Sequence, residues 1–462
     1  LAGSWWPLKG CQVVLRFLFL QVLVAPCLLV PTAVKESQPL RGAIAHVVAF
    51  HNFMDRYRKP YKVGSDEYSD RLQLFSERCL AVEAVNSWPG RLWDAGVNHL
   101  FDRTEDELAS LRGWRGAVAT KEGAGPVRAV LRASTGTFLR QRPALMPEEF
   151  HNWTRLQSAK RVFDQRDCGS CWAITGATLL QLHQEIYNPT ATQRTFSAQE
   201  LVSCVPNPNK CGGSGGCGGA TVELAFHWAM NWGLAKEAET PYAGNTGFCK
   251  KPWGSYDGLM QVQGFQGEDV VRPGIHLAAP GAGGLWFGMH GWERLPENNY
   301  QAVLRAVVER GPVGVSVAAR GWHMYSSGVF DGCERDAVID HAVTLIGFGK
   351  DRALGVQFYL IRNSWGHGWG EKGNIRLLRR DSDETHCGTD HHPELGTSCE
   401  GGPKQVKVCG MCGILYDSVV PIFSNSVGGT TFGSIEGDPA VSSGFGGLMN
   451  EQGQTGEGGF RG

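Results

Sequence analysis

The sequence predicts an α+β protein of two lobes, because helical patterning dominates the first part of its globular region and strand patterning the second. After Cys171, the run from Trp172 to Tyr187 carries apolar residues at helical spacing and reads as a buried helix. Short β-rich runs follow at 313–317, 342–346, 358–361 and 374–378. Most of the 14 cysteines lie after residue 150. With one set aside as a reactive thiol, the others there make five pairs, and bridging on that scale requires an oxidising compartment.

The rest of the chain divides around this region. At 462 residues, 42% hydrophobic and 19% charged, the chain exceeds one ordinary domain and can bury a sizeable core. A formal net charge of -1 excludes recruitment of nucleic acid, an anionic membrane or an acidic ligand by bulk electrostatics. Residues 1–34 read as a signal peptide: Lys9 and Arg16 precede an apolar stretch from Phe17 to Val30, and small residues follow. The rival, a membrane anchor, is disfavoured by the stretch's length and by Pro26. Residues 44–110 are charged and helical in pattern, with Phe50, Phe53, Tyr57 and Tyr61 three or four apart. Residues 111–146 lack periodicity and carry several arginines, as expected of a protease-accessible connector. A Trp-, Gly- and Cys-rich unit spans 147–423, and the Gly/Ser-rich segment 424–462 is expected to be a flexible tail.

Within Asp164-Gln-Arg-Asp-Cys-Gly-Ser-Cys-Trp172, Cys171 stands at the start of the buried helix. First-turn N–H groups and the helix dipole favour an anion there, so a lowered thiol pKa is expected. The alternative for such a cysteine in a secreted protein is a disulfide. Asp340-His341-Ala342-Val343 precedes a β-rich run, and Asn363-Ser-Trp-Gly366 is followed by Trp369-Gly-Glu-Lys-Gly373. Cys-Gly-Ser-Cys-Trp, the Asp-His-Ala segment and Asn-Ser-Trp-Gly, in this order, resemble the papain-like (cathepsin L-like) cysteine proteases.

That resemblance implies a two-lobed papain-like fold, with a helical lobe, a β-barrel-like lobe and the active site in the cleft between them. It casts Cys171 as nucleophile and His341 as its proton-transfer partner. Asn363 becomes the residue that orients the imidazole, and Gln165 an oxyanion donor together with the Cys171 N–H. Trp365 would shield the His–Asn bond and Trp369 would wall the leaving-group side. Gly219 and Ala220 resemble the backbone that pairs with extended substrate, with Ala220 standing where the family has Gly. Asp417 resembles the floor of the pocket for the second residue before the scissile bond, which leaves a basic and a hydrophobic preference both open. The implied bridges are Cys168–Cys217, Cys204–Cys249 and Cys333–Cys412, with Cys211 a competitor for Cys217.

Glu67, Arg71, Phe75, Arg78, Val82 and Asn86 follow the spacing of the ERFNIN helix of cathepsin L-like propeptides, on one helical face. Gly96, Asn98, Leu100 and Asp102 resemble the accompanying Gly-x-Asn-x-Phe-x-Asp motif. Residues 35–146 are therefore expected to form an inhibitory propeptide and connector that block the cleft in reverse orientation, with maturation between about 135 and 147. Four features depart from the pattern. His341 lies farther from Cys171 than the about 130–150 residues of papain and the cathepsins, the excess falling in 270–291, read as a surface loop or a translated non-coding segment. Cys387, His391, His392, Cys399 and Cys409 form a cluster that is either zinc-binding or, as expected in an oxidising compartment, a disulfide-held insert. Arg166 replaces the family's usual Gly. Asn152-Trp-Thr154 has the form of a glycosylation sequon.

The function expected is a secreted or lysosome-like cysteine endopeptidase made as a self-inhibited zymogen. It would act on protein or peptide substrates as a monomer without cofactor, metal, nucleic acid or stable membrane anchor. The alternative is a catalytically silent papain-fold binding or scaffold protein.

Overall fold

The computed structural model describes residues 38–113, 146–190, 194–250, 274–279 and 281–423. The expected signal peptide, the expected tail and nearly all of the expected connector with its maturation window lie outside the described residues.

Two helices, α1 (Gln38–Tyr57) and α2 (Asp66–Ser87), build an N-terminal module. Ser65 caps α2 by accepting the Tyr68 N–H, and Asp66 and Glu67 sit where the helix dipole favours negative charge. Three- and four-residue spacing brings Phe50, Phe53, Tyr68 and Phe75 together with Phe101 in a small aromatic core. One face of α2 then grips the following segment. Arg71 binds the Asp102 carbonyl and the Glu107 carboxylate, Arg78 binds the carbonyls of Leu100 and Phe101, and Asn86 makes two bonds to the Ala95 backbone. The grip feeds the chain into β1 (Trp93–Ala95) and α3 (Glu105–Leu111), the latter closed by a Thr104–Glu107 capping box.

The helical lobe centres on α4 (Cys171–Tyr187), which is apolar nearly all round because neighbours cover both sides. It packs on α5 (Ala198–Cys204) and α6 (Val222–Trp232). A methyl group on Gly176 would come within 2.8 Å of the Ala225 side chain, so only glycine permits the α4–α6 approach.

The second lobe is a nine-stranded sheet. Its strands are β2 (Gly274–Leu277), β3 (Met289–Arg294), β4 (Val313–Val317), β5 (Tyr325–Phe330), β6 (His341–Asp351), β7 (Val356–Arg362), β8 (Asn374–Arg379) and β11 (Asp417–Phe423), joined by β1. Their order is β1-β5-β8-β7-β6-β4-β11-β3-β2. The module thus lends a strand to one edge, and α7 (Tyr300–Glu309) packs on β4 and β6.

The region 270–291 departs from the expected loop. Its described part belongs to an antiparallel hairpin of β2 with β3 that runs on to Arg294 and extends the sheet through β11, burying Phe287, Met289 and, just beyond the region, Trp292. Glycines hid the pattern, and His276 stacked on Trp292 at 3.9 Å supplies packing that periodicity alone does not reveal.

Five disulfides are present: Cys168–Cys217, Cys204–Cys249, Cys333–Cys412, Cys211–Cys399 and Cys387–Cys409. Cys211 therefore does not compete for Cys217. The last bridge joins β9 (Cys387–Asp390) to β10 (Val406–Cys409), so the cysteines of the His/Cys cluster are held in bridges. Among the described residues no group of His, Cys, Asp and Glu is arranged to hold a metal ion, and no helix is long and apolar enough to cross a membrane. Asn152 is exposed on a short turn, while Trp153 is half-buried and donates its indole N–H to the Val307 carbonyl at 2.6 Å.

Candidate active site

Cys171 is the first residue of α4, and a tightly tied loop delivers it there. The Gln165 N–H donates to the Ser364 carbonyl at 2.9 Å, the Gly169 N–H donates to the Cys217 carbonyl at 3.1 Å, and Cys168 is bridged to Cys217. Tyr242 adds a tie that the sequence did not flag: its hydroxyl donates to the Gln165 carbonyl at 2.8 Å and lies 2.5 Å from the Ser170 hydroxyl. Arg166 takes φ of 55°, left-handed backbone that explains the family's glycine here. Its N–H is held by the Asp164 carboxylate at 2.9 Å.

His341 opens β6, facing Asn363 just past the end of β7. The two side chains meet at 2.8 Å between Nε2 and Oδ1. Asn363 Oδ1 also accepts the Ser364 N–H at 2.8 Å, which marks it as the acceptor end of the amide. Nε2 therefore carries the hydrogen, and Nδ1, which has no hydrogen-bond partner, is left free to exchange a proton. Trp365 lies tilted by 30° to the imidazole at 5.0 Å and Trp322 stands edge-on at 6.3 Å. Both rings keep water from the His341–Asn363 pair.

Gln165 is fully buried. Its Oε1 accepts from the Ser364 hydroxyl at 2.6 Å, so Nε2 points the other way, donating to the carbonyls of Cys168 at 2.8 Å and Leu111 at 2.6 Å. Leu111 belongs to the N-terminal module, whose chain runs through the site. The next residue, Arg112, donates to the Asp340 carboxylate at 2.7 Å, one residue before His341. A methyl group on Gly113 would stand 3.9 Å from Cys171 Sγ, and one on Gly219 would strike the Gly113 carbonyl at 2.1 Å. Cys171, Gln165, Asp340 and Gly219 thus surround a three-residue stretch of the N-terminal module.

Burial sets the protonation states. Burial pushes the Cys171 thiol up to about 11, outweighing backbone hydrogen bonds to Ala342 and Trp172 that favour the thiolate. Burial likewise drives His341 down to about 4, against the Asn363 bond, with the Arg112 charge adding to the fall. The lowered thiol pKa expected from the helix N-terminus is therefore not realised in this structure, because desolvation exceeds the backbone hydrogen bonds that favour the thiolate.

The remaining site residues lie farther out. Trp369 is completely buried, stacked on Trp322 at 6.2 Å and edge-on to Trp365 at 5.1 Å, a layer beneath the cleft. Ala220 is half-buried beside Gly219. Asp417 sits two strands from the site, paired with Ser316 of β4, which itself pairs with Ala342. One carboxylate oxygen of Asp417 accepts from Arg294 Nε at 3.0 Å and the other from the Ser316 hydroxyl at 2.6 Å. Arg294 also lies 3.4 Å from Glu223, whose carboxyl burial and the Asp417 charge push up to about 8. No sequence signal marked Arg294, since its contact with Asp417 depends on the unrecognised β2–β3 hairpin.

Residues 146–397 match the model of a family described as papain family cysteine protease. A cysteine endopeptidase of Oryza sativa subsp. japonica is 30% identical over 71% of this chain and 77% of its own length. A thiol protease of Hemerocallis sp. is 26% identical over 76% of this chain and 88% of its own. Among solved structures, a recombinant stem bromelain precursor aligns with TM-score 0.56 at 26% identity, covering 82% of this chain and 99% of that one. A digestive procathepsin L2 proteinase from Tenebrio molitor larval midgut aligns with TM-score 0.56 at 23% identity, covering 81% and 99%, a likeness of fold.

Proposed function

The chain belongs to the papain family of cysteine proteases, and from that premise we propose how its own residues perform peptide hydrolysis and hold it in check. It is a cysteine endopeptidase in zymogen form, with a two-lobed papain-like fold. Cys171 attacks the peptide carbonyl to form a thioester, and His341 takes the thiol proton at Nδ1 and passes it to the leaving amine. Asn363 holds the imidazole through Nε2. Gln165 Nε2 and the Cys171 N–H bind the oxyanion. Water then hydrolyses the thioester with His341 as base.

The observation that carries this reading is the bond from Gln165 Nε2 to the Leu111 carbonyl at 2.6 Å. A peptide carbonyl of the pro-segment occupies the donor that a reacting carbonyl would use. Residues 35–146 act as inhibitor and connector, 147–423 as the peptidase domain, and cleavage between about 135 and 147 matures the enzyme. Five disulfides support a secretory, lysosome- or vacuole-like, or extracellular location. Gly219 and Ala220 hold substrate backbone on the N-terminal side of the scissile bond, and Trp365 and Trp369 back the leaving-group side. The pocket above Asp417 takes an uncharged side chain, since Arg294 already neutralises the carboxylate.

Hydrolysis of a fluorogenic Phe-Arg peptide by acid-matured protein and by its Cys171→Ala variant tests the assignment. Turnover by the wild type alone supports it. A folded, processed wild type without turnover favours the silent-scaffold alternative.

A further inference from the structure

The disulfide insert between β8 and β11 does more than decorate the strand lobe. Its base rests on the rim before His341: the Thr389 N–H donates to the Asp336 carboxylate at 2.8 Å, and Cys387–Cys409 locks the β9–β10 pair. The chain then crosses from one lobe to the other within three residues. The Thr397 N–H donates to the Ile339 carbonyl at 3.1 Å on the strand lobe, the Ser398 carbonyl accepts the Gly212 N–H at 3.1 Å on the helical lobe, and Cys399 is bridged to Cys211. The Glu400 N–H adds a bond to the Asn209 carbonyl at 2.8 Å.

Both anchor points adjoin the cleft. Ile339 stands next to Asp340, which binds Arg112 of the pro-segment. On the facing wall, a methyl group on Gly219 would meet the carbonyls of Gly212 and Gly113 at 2.4 and 2.1 Å, so the anchor and the occupant of the cleft touch the same glycine. A groove between two lobes needs no covalent tie to bind an extended peptide along its whole length. A tie at this position leaves little room for chain beyond Gly219.

We propose that residues 397–399 form a strap closing the cleft beyond Gly219, so that the enzyme holds only a short stretch on the N-terminal side of the scissile bond. Peptides whose scissile bond lies close to their N-terminus are then preferred over those with long extensions there. The proposal rests on the cysteine protease reading above, which sets Gly219 and Ala220 on that side.

The test uses the matured enzyme and internally quenched peptides that share one scissile sequence and carry two, three, four or six residues N-terminal to the bond. The expected result is a kcat/KM at least tenfold lower for six residues than for two or three, carried mainly by KM. In the double variant Cys211→Ser, Cys399→Ser the penalty shrinks toward unity. Equal kcat/KM at all lengths in the wild type overturns the strap, as does an undiminished penalty in a folded double variant. If that variant does not fold, the wild-type series decides alone. Absence of Cys171-dependent hydrolysis of every peptide overturns the protease reading and the strap with it, whereas hydrolysis indifferent to length overturns the strap only.

Discussion

The side-chain amide of Gln165 donates to the carbonyl of Leu111 at 2.6 Å, joining the peptidase domain to its own pro-segment where catalysis is expected. Gln165→Ala removes a donor to the developing oxyanion. Its kcat is expected to fall about 10²–10³-fold with little change in KM, as for other oxyanion donors. Steady-state kinetics on the matured protein checks this, and a loss confined to KM would argue that Gln165 only positions substrate.

Arg112 and Asp340 form an ion pair of low exposure that ends with the removal of the pro-segment. Arg112→Ala is expected to weaken inhibition of the matured enzyme by the added pro-segment by about 2 kcal/mol, roughly thirtyfold in inhibition constant. An unchanged constant would mean that the helical module alone carries the affinity.

Inhibition is expected to weaken in acid. His323 is buried where Asn98 of the pro-segment binds its carbonyl, and burial, followed by the Arg78 charge, lowers it to about 4. Glu105 opposes this shift and Arg112 reinforces it. A base depressed in the closed state contributes stability that is present above about pH 6.5 and is lost as pH falls toward 4. With 6.5 in the open state and about 4 in the closed one, the loss is about 2 kcal/mol by pH 5. The inhibition constant of the pro-segment measured from pH 7 to 4.5 should rise, and the rise should become shallower in His323→Gln, the part due to His341 remaining. A pH-independent constant contradicts the assignment.

Arg294 sets the charge near Asp417. The wild type is expected to favour Phe-Arg over Arg-Arg reporters, and Arg294→Leu, which leaves Asp417 unpaired, should raise the relative turnover of Arg-Arg at least tenfold. Ready cleavage of Arg-Arg by the wild type would show that Asp417 is open to substrate despite its partner.

These expectations show which features the sequence made legible. Cys171, His341 and Asn363 could be read because each sits in a short local motif, and the face of α2 could be read because helical spacing alone sets it. Asp417 could be placed by counting from Cys412, but its partner could not, since Arg294 arrives from a hairpin whose glycines mask its alternation. The Cys211–Cys399 bridge was also invisible: it joins residues 188 apart in the chain, and pairing at that distance is decided by the fold. The raised pKa of Cys171 escaped the local argument because the helix N-terminus is a property of its own segment, whereas burial is set by the whole fold around the thiol.

The central claim is that Cys171 is a nucleophile kept neutral and covered by the pro-segment. The most direct measurement is covalent labelling by a thiol-trapping epoxide at neutral pH, with the adduct located by mass spectrometry in the intact zymogen and in the matured protein. The account predicts an adduct on Cys171 only after maturation. Equal labelling of Cys171 before and after, or a matured protein in which Cys171 stays unlabelled, would contradict it.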